Sequence, residues 1–327
     1  MSVQHPLVSV SMITYHAEAF IREAIEGVLR QQVDFPIELV IGDDCSKDNT
    51  RHICETYIQK YPGIIRLLPV EANMGIAANT ARTMGSCRGK YIAVCDGDDI
   101  WTDPLKLKQQ VDFLERNPAY GIVYTDVETI SETGEPVADF EQDEIRVMYT
   151  QGDVFIKLLQ ANFINNSTAV FRRDLIADLV IAPDRSYQIP DHIRWLHIAT
   201  CAKVHFINYK STSYRKHSSG LSVAVPAEKI EGNKLMLRRY LYSTIPKFHR
   251  HRNTPLDRAE RSVVFRRILS LALRGPGTTA IRWRILRLAP SYYPGFTNIL
   301  KISVFKIIQF FSSPKITTGL GLKELNT

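Results

Sequence analysis

The sequence has too few cysteines for a disulfide framework. Its 327 residues hold five, Cys45, Cys54, Cys87, Cys95 and Cys201, an odd number with no metal-type pairing. That pattern excludes a stapled secreted scaffold and a zinc site, and it fits a reducing cytosol. Long apolar runs are absent too. No stretch reaches the roughly 18 apolar residues that a membrane-spanning helix needs. The opening segment MSVQHPLVSVSMITY has no basic stretch followed by a long apolar core, so export through a signal peptide is not expected. Repeats, low-complexity segments and nucleic-acid motifs such as an RNP element or a zinc finger are likewise missing, which argues against nucleic acid as a partner.

Charge is plentiful but uneven. The net charge of +7 hides a basic tail, because residues 230–327 carry 18 Lys and Arg against 4 Asp and Glu, while residues 1–229 are net acidic. The tail reads mostly helical, broken at Pro246, Pro255, the Gly-Pro-Gly at 275–277 and APSYYPG. Its last apolar piece, ILKISVFKIIQFF, mixes Ile, Val and Phe with Lys301 and Lys306, which suits an amphipathic segment resting on an anionic membrane surface. The other reading is a helical bundle packed on the rest of the protein with a solvated basic face.

The first 130 residues alternate two periodicities. Strand-like runs LVSVSMITY, IELVIGDD, IIRLLPV, YIAVCD and YGIVYTDVETI are separated by helix-like stretches, the pattern of βαβ units and a mainly parallel sheet. Ile21, Ile25, Val28 and Leu29 share one face of the first helix, and Leu107, Val111 and Leu114 form the inner stripe of a helix that Asp103 and Pro104 open and Asn117–Pro118 closes. Residues 131–150 are polar and aperiodic, a surface excursion. A second half at about 150–228 offers a helix in TQGDVFIKLLQAN, another after IPD, and a strand in KVHFINYKSTSYR.

Right-handed crossovers bring the carboxyl ends of such strands to one rim, where open α/β sheets bind ligands. GDDCS and CDGDD both end strands, so Asp43, Asp44, Asp96, Asp98 and Asp99 are expected to share a site. Carboxylates gathered this way repel by about 4 kcal/mol per pair at ~4 Å and an effective dielectric of ~20, so a cation belongs among them. Hard oxygen ligands favour Mg2+ or Mn2+, which keep positions open for phosphate oxygens. A carboxylate on the same rim can accept a hydrogen bond from a base N–H. Plain helix capping is the competing reading of both stretches.

VSVSMITYH, IELVIGDDCSKDNT, NMGIAANTARTMGSCRGKYIAVCDGDDIWTDPLKLKQQVDFLERNP and YRKHSSGLS together resemble the family 2 glycosyltransferases of the GT-A fold, in particular the bacterial branch with a GDDxWTDPxKLxxQVxFLE block. The likeness covers about residues 7–225. It implies a catalytic domain over residues 1–228, with a nucleotide-sugar half at about 1–130 and an acceptor half at about 150–228. Residues 229–327 would form a basic helical extension. It also implies a nucleotide-sugar donor, usually UDP-linked, a divalent metal on the diphosphate, and inversion at the anomeric carbon.

Carried over by position, Thr14 and Tyr15 face the base, Asp44 contacts uracil with Asp43 beside it, and Asn73 and Gly75 match the following turn. Asp96 and Asp98 hold ribose or metal, and Asp99 holds metal. His217 sits in a YRxHxxxxS-like signature and reaches the diphosphate or the metal, with Arg215 and Lys216 adding positive charge toward the leaving nucleotide. Asp191, at the start of a second-half helix, matches the base that deprotonates the acceptor; a helix cap is the other reading of it. Asn165, Asn166, Ser167 and Thr168 form a polar turn or line the acceptor pocket. Two departures stand out. His16 occupies a column where many members have Asn, and the Ala-Arg-Asn columns read Ala78 or Asn79, Thr80 and Ala81, with Arg82 shortly after.

The implied function is transfer of a sugar to a glycan or lipid-linked acceptor in bacterial surface-polysaccharide assembly, in the cytoplasm or on the inner face of the membrane. Two other classes compete. A nucleotidyltransferase would carry a Gly-rich, Arg- or Lys-containing loop after its first strand, and ITYHAEAF is not one. A catalytically silent scaffold would have no need of Asp191.

Overall fold

The computed structural model describes residues 5–177, 179, 190–218 and 220. The chain divides into two units, Met1–Arg250 and His251–Thr327. The basic tail and the expected boundary at residue 228 lie outside the described residues.

Among the described residues, eight strands make one sheet in the order β3-β2-β1-β4-β7-β6-β8-β5. β1 (Val8–Thr14) lies between β2 (Ile37–Asp43) and β4 (Tyr91–Val94), parallel to both, and β3 (Ile65–Leu67) extends the parallel set beyond β2. The alternation of Leu39 and Ile41 with Val40, and of Tyr91 and Ala93 with Ile92 and Val94, sends side chains to two separate cores. Such strands are buried on both faces, which is why they read as continuous apolar runs.

One face is covered by α1 (Ile21–Leu29), α2 (Thr50–Lys60) and α4 (Lys106–Arg116), whose Ile21, Ile25, Val28, Leu107, Val111 and Leu114 are buried at helical spacing. The other face is covered by α3 (Ile76–Gly85), α6 (Phe155–Gln160) and α7 (Pro190–Ala199), which contribute Met84, Leu158, Trp195 and Ile198.

Most pairings are parallel, that of the last two long strands included, but the sheet is mixed. β7 (Val170–Arg172) runs antiparallel to both β4 and β6 (Tyr120–Ile130), and β5 (Ile100–Trp101) runs antiparallel to β8 (Lys203–Arg215). The parallel pattern holds for the first half, where helices cross over between strands. In the second half, β7 is a three-residue strand inserted between the two halves, too short to carry a periodicity of its own.

The excursion at 131–150 contains a helix, α5 (Phe140–Arg146), that composition did not reveal. Asp139 caps it by accepting the Gln142 N–H, and Arg146 ties it to Asp126 at 3.0 Å. Pro104 stands in the turn before α4 rather than inside it, and the Asp103 carboxylate accepts the Leu105 N–H at 2.9 Å.

Candidate active site

The parallel arrangement of β1, β2 and β4 carries their carboxyl ends to one rim, and the residues singled out in the sequence follow directly. Thr14 ends β1; it is buried, and its Oγ1 has no hydrogen-bond partner among the described residues. Tyr15 is half exposed and stacks on His16, with ring centroids 4.0 Å apart. His16 has φ of +50°. Asn and His are among the residues that best tolerate this left-handed backbone, which accounts for His16 in a column where relatives carry Asn.

The two β2 carboxylates differ in how they are engaged. Asp44 accepts the backbone N–H groups of Met74 and Gly75, one on each oxygen and both at 2.9 Å, while the Asn73 side chain donates to the Asp44 carbonyl at 3.1 Å. Gly75 takes φ of +85°, a conformation that favours glycine, and this lets the loop fold onto Asp44. Asp43 accepts both the N–H and the hydroxyl of Ser46 on Oδ1. Its Oδ2 is buried without a hydrogen bond, and Arg51 stands 3.7 Å away. Arg82, the nearest candidate for the missing family arginine, donates to the Pro69 and Asp43 carbonyls and to Asn79. It is a loop brace.

β4 delivers Asp96, Asp98 and Asp99. Gly97 separates the first two because a Cβ there would lie 2.6 Å from Thr14 Oγ1 and 2.7 Å from Thr14 Cβ. Burial, followed by the neighbouring charge of Asp98, pushes Asp96 up to about 7. One of its oxygens accepts the Asn166 side-chain N–H at 2.9 Å, and the other, Oδ1, is buried with no partner among the described residues. Asp98 is partly exposed, and its Oδ2 lies 3.1 Å from His217 Nε2. Burial, then Asp98 and Asp96, raise Asp99 well above the usual carboxylate range. Its two oxygens accept the Ser167 hydroxyl and the Arg215 N–H.

The cations that answer this acidic cluster from within the protein come mostly from the second half. Arg194 on α7 is fully buried and donates to Asn166 Oδ1 at 2.6 Å, so its charge reaches Asp96 through that amide. Burial lowers its guanidinium to about 10. Asn166 and Ser167 belong to a 3-10 turn, Asn166–Thr168, whose backbone is itself held from the other side. Trp101 Nε1 donates to the Ser167 carbonyl at 2.8 Å, and Gln110 Nε2 and Lys106 Nζ donate to the Thr168 carbonyl at 2.8 and 3.3 Å. Ser167 and Thr168 are completely buried, so they do not line an acceptor pocket. They are the wall against which the carboxylates stand.

Asp191 is the second residue of α7, and the Asn162 side chain donates to its Oδ2 at 2.7 Å. Its charge is near enough to be one of the influences raising Asp96. Arg194, three residues further along the same helix, links α7 to Asp96 through Asn166. Arg215 and Lys216 are engaged by acidic groups and carbonyls of the protein itself. Arg215 is buried against Glu23, the Glu132 carbonyl and the Asp98 carbonyl, and Lys216 pairs with Asp139 at 2.9 Å.

The family model described as "Glycosyl transferase family 2" matches residues 9–180, more than half of the chain. The chain belongs to glycosyl transferase family 2. An uncharacterized protein of Mycobacterium tuberculosis is 33% identical over 214 residues, covering 65% of this chain and 60% of its own length, so the match spans under two thirds of that relative. Staphylococcus aureus TarS in complex with UDP-GlcNAc superposes with a TM-score of 0.62 at 17% identity, covering 84% of this chain and 78% of that one. The mannosyltransferase PcManGT of Pyrobaculum calidifontis, solved with GDP-Man and Mn2+, gives 0.57 at 16% identity, covering 95% and 88%. At these identities the two structures share the fold with the family 2 chain.

The Asp98 carboxylate and the His217 imidazole, 3.1 Å apart, with Asp96 two residues before Asp98, are donors of the kind a divalent cation takes. The partnerless Asp96 Oδ1 supports the same conclusion. Among the described residues no three His, Cys, Asp or Glu side chains are already drawn together as a metal cluster. No helix among them is long and apolar enough to cross a membrane.

Proposed function

We propose that this protein is an inverting glycosyltransferase that moves a sugar from a nucleotide-diphosphate donor, most readily a UDP-sugar, to a glycan or lipid-linked acceptor of a cell-surface polysaccharide. The observation that supports the reading is that α7, the helix that carries Asp191, is tied to Asp96 at the strand end through Arg194 and Asn166. A nucleotide-binding scaffold has no need of a carboxylate there.

In this reading Tyr15, Thr14 and Asp43 receive the base, and Asp44 shapes the loop of Asn73 and Gly75 that closes beside it. Asp98 and His217, with Asp96 adjoining, would hold Mg2+ or Mn2+. That ion supplies neutralisation of the diphosphate charge as the nucleotide departs. Asp191 takes the proton of the acceptor hydroxyl as its oxygen bonds to the anomeric carbon and the bond from that carbon to the diphosphate oxygen breaks. The transition state is oxocarbenium-like, as in glycoside hydrolysis. Asn162 pins one Asp191 oxygen and leaves the other for the acceptor. The basic tail would rest on the anionic inner face of the membrane, near a lipid-linked acceptor.

The test is single-turnover transfer from a panel of UDP-sugars to lipid-linked acceptors by the unsubstituted protein and by Asp191→Asn. Loss of a general base costs on the order of 10²–10⁴ in rate, with donor binding unchanged. Equal turnover by the two proteins would remove Asp191 from the mechanism.

A further inference from the structure

We infer that Asp99 is a positioning residue: its carboxylate clips the strand end that carries His217 onto the strand end that carries Asp98, and Ser167 completes the clip. The inference rests on the metal-dependent reading above and divides the labour among its carboxylates.

A metal ligand must present an oxygen toward the ion. Asp98, partly exposed and 3.1 Å from His217 Nε2, does so. Asp99 has both oxygens engaged inside the protein. It is 2% exposed; one oxygen accepts the Ser167 hydroxyl proton and the other accepts the Arg215 N–H at 3.1 Å. Arg215 lies two residues before His217, at the end of β8. Its side chain continues the attachment by donating to the Asp98 carbonyl at 3.2 Å and to the Glu132 carbonyl at 2.9 Å. The antiparallel β5–β8 pairing ends with Ile100 opposite Ser213, just short of Asp98 and His217, and the Asp99–Arg215 contact carries that register on to the two candidate ligands.

Ser167 is built to serve this joint. Its hydroxyl donates to Asp99 while accepting the Asp96 N–H at 3.1 Å, and its carbonyl is fixed by Trp101 Nε1 at 2.8 Å and by Thr212 Oγ1 at 3.3 Å. Thr212 belongs to β8, so the same serine touches both strand ends. Side chains that orient metal ligands from behind are worth about 10–100-fold in metal affinity when removed.

The discriminating variant is Asp99→Asn, since an amide oxygen still accepts the Arg215 N–H while the negative charge that a ligand supplies is lost. Mn2+ binding to the full chain, with UDP present, would be followed by the loss of the free-ion electron paramagnetic resonance signal. The expected result is that Asp99→Asn binds Mn2+ close to the unsubstituted protein, Asp98→Asn and His217→Ala bind it far more weakly, and Ser167→Ala loses about 10–100-fold. Mn2+ affinity falling as far in Asp99→Asn as in Asp98→Asn would make Asp99 a ligand and overturn the inference. Unchanged affinity in Ser167→Ala would overturn the positioning role. Failure of the unsubstituted protein to bind Mn2+ with UDP would instead sink the metal reading itself, and this inference with it.

Discussion

Lys106 offers the sharpest quantitative test of the wall behind the carboxylates. Its ammonium is completely buried, donates to Gln110 Oε1 at 2.8 Å and to the Thr168 carbonyl at 3.3 Å, and lies 4.4 Å from the Trp101 ring centroid. Burial lowers it from 10.5 to about 7. Each pH unit of displacement corresponds to about 1.4 kcal/mol, so holding the charged form inside the fold costs roughly 3–5 kcal/mol, an order-of-magnitude figure.

The sign follows from proton counting. Between about pH 7 and 10.5 the unfolded chain holds the Lys106 proton and the folded one does not. Stability contributed by this group therefore rises with pH across that window, by up to about 1.4 kcal/mol per unit, and the penalty is at its full value below it. Lys106→Met removes the titration while Gln110 keeps the Thr168 carbonyl satisfied. The Met variant should be the more stable protein at pH 6.5, with its advantage shrinking steadily toward pH 9.5. Urea unfolding across that range, followed by tryptophan fluorescence, measures the difference. Parallel stability curves for the two proteins would refute the reasoning.

Gly97→Ala should push Thr14 aside, lower stability by about 1–3 kcal/mol and weaken nucleotide binding; thermal melting with and without UDP reads both effects. His16→Asn should melt with the unsubstituted protein, whereas His16→Val should cost roughly 1–2 kcal/mol because a β-branched side chain is strained at the left-handed φ. Equal melting of the two His16 variants would show that this backbone conformation is not adopted in solution.

The strands of the first half were legible because both their faces are buried, which leaves an apolar run bounded by acidic residues. That Asp43, Asp44 and Asp96 stand at one rim of the sheet followed from parallel topology alone. The buried polar wall was not legible. Arg194 and Lys106 look like surface charges in a linear sequence, and both are buried against the Asn166–Thr168 turn, which reaches Lys106 from the other half of the chain. The only local sign was the polar stretch Asn165–Thr168 ahead of a short strand, which left a turn and a pocket lining equally open, and it forms a 3-10 turn. The motif at 100–110 gains a physical meaning from the fold, since Trp101, Lys106 and Gln110 all reach the backbone of that turn. Arg215 and Lys216 show the opposite error. Basic residues next to a candidate ligand suggested phosphate, but partners at Glu23 and Asp139 had already claimed them.

The central claim, that the strand-end carboxylates receive a nucleotide diphosphate through a divalent cation, is tested most directly by calorimetric titration of UDP, GDP and dTDP into the full chain, with Mn2+ and then with EDTA. The account predicts metal-dependent binding with UDP preferred, abolished in Asp98→Asn. Binding of none of the three, with or without metal, would contradict it.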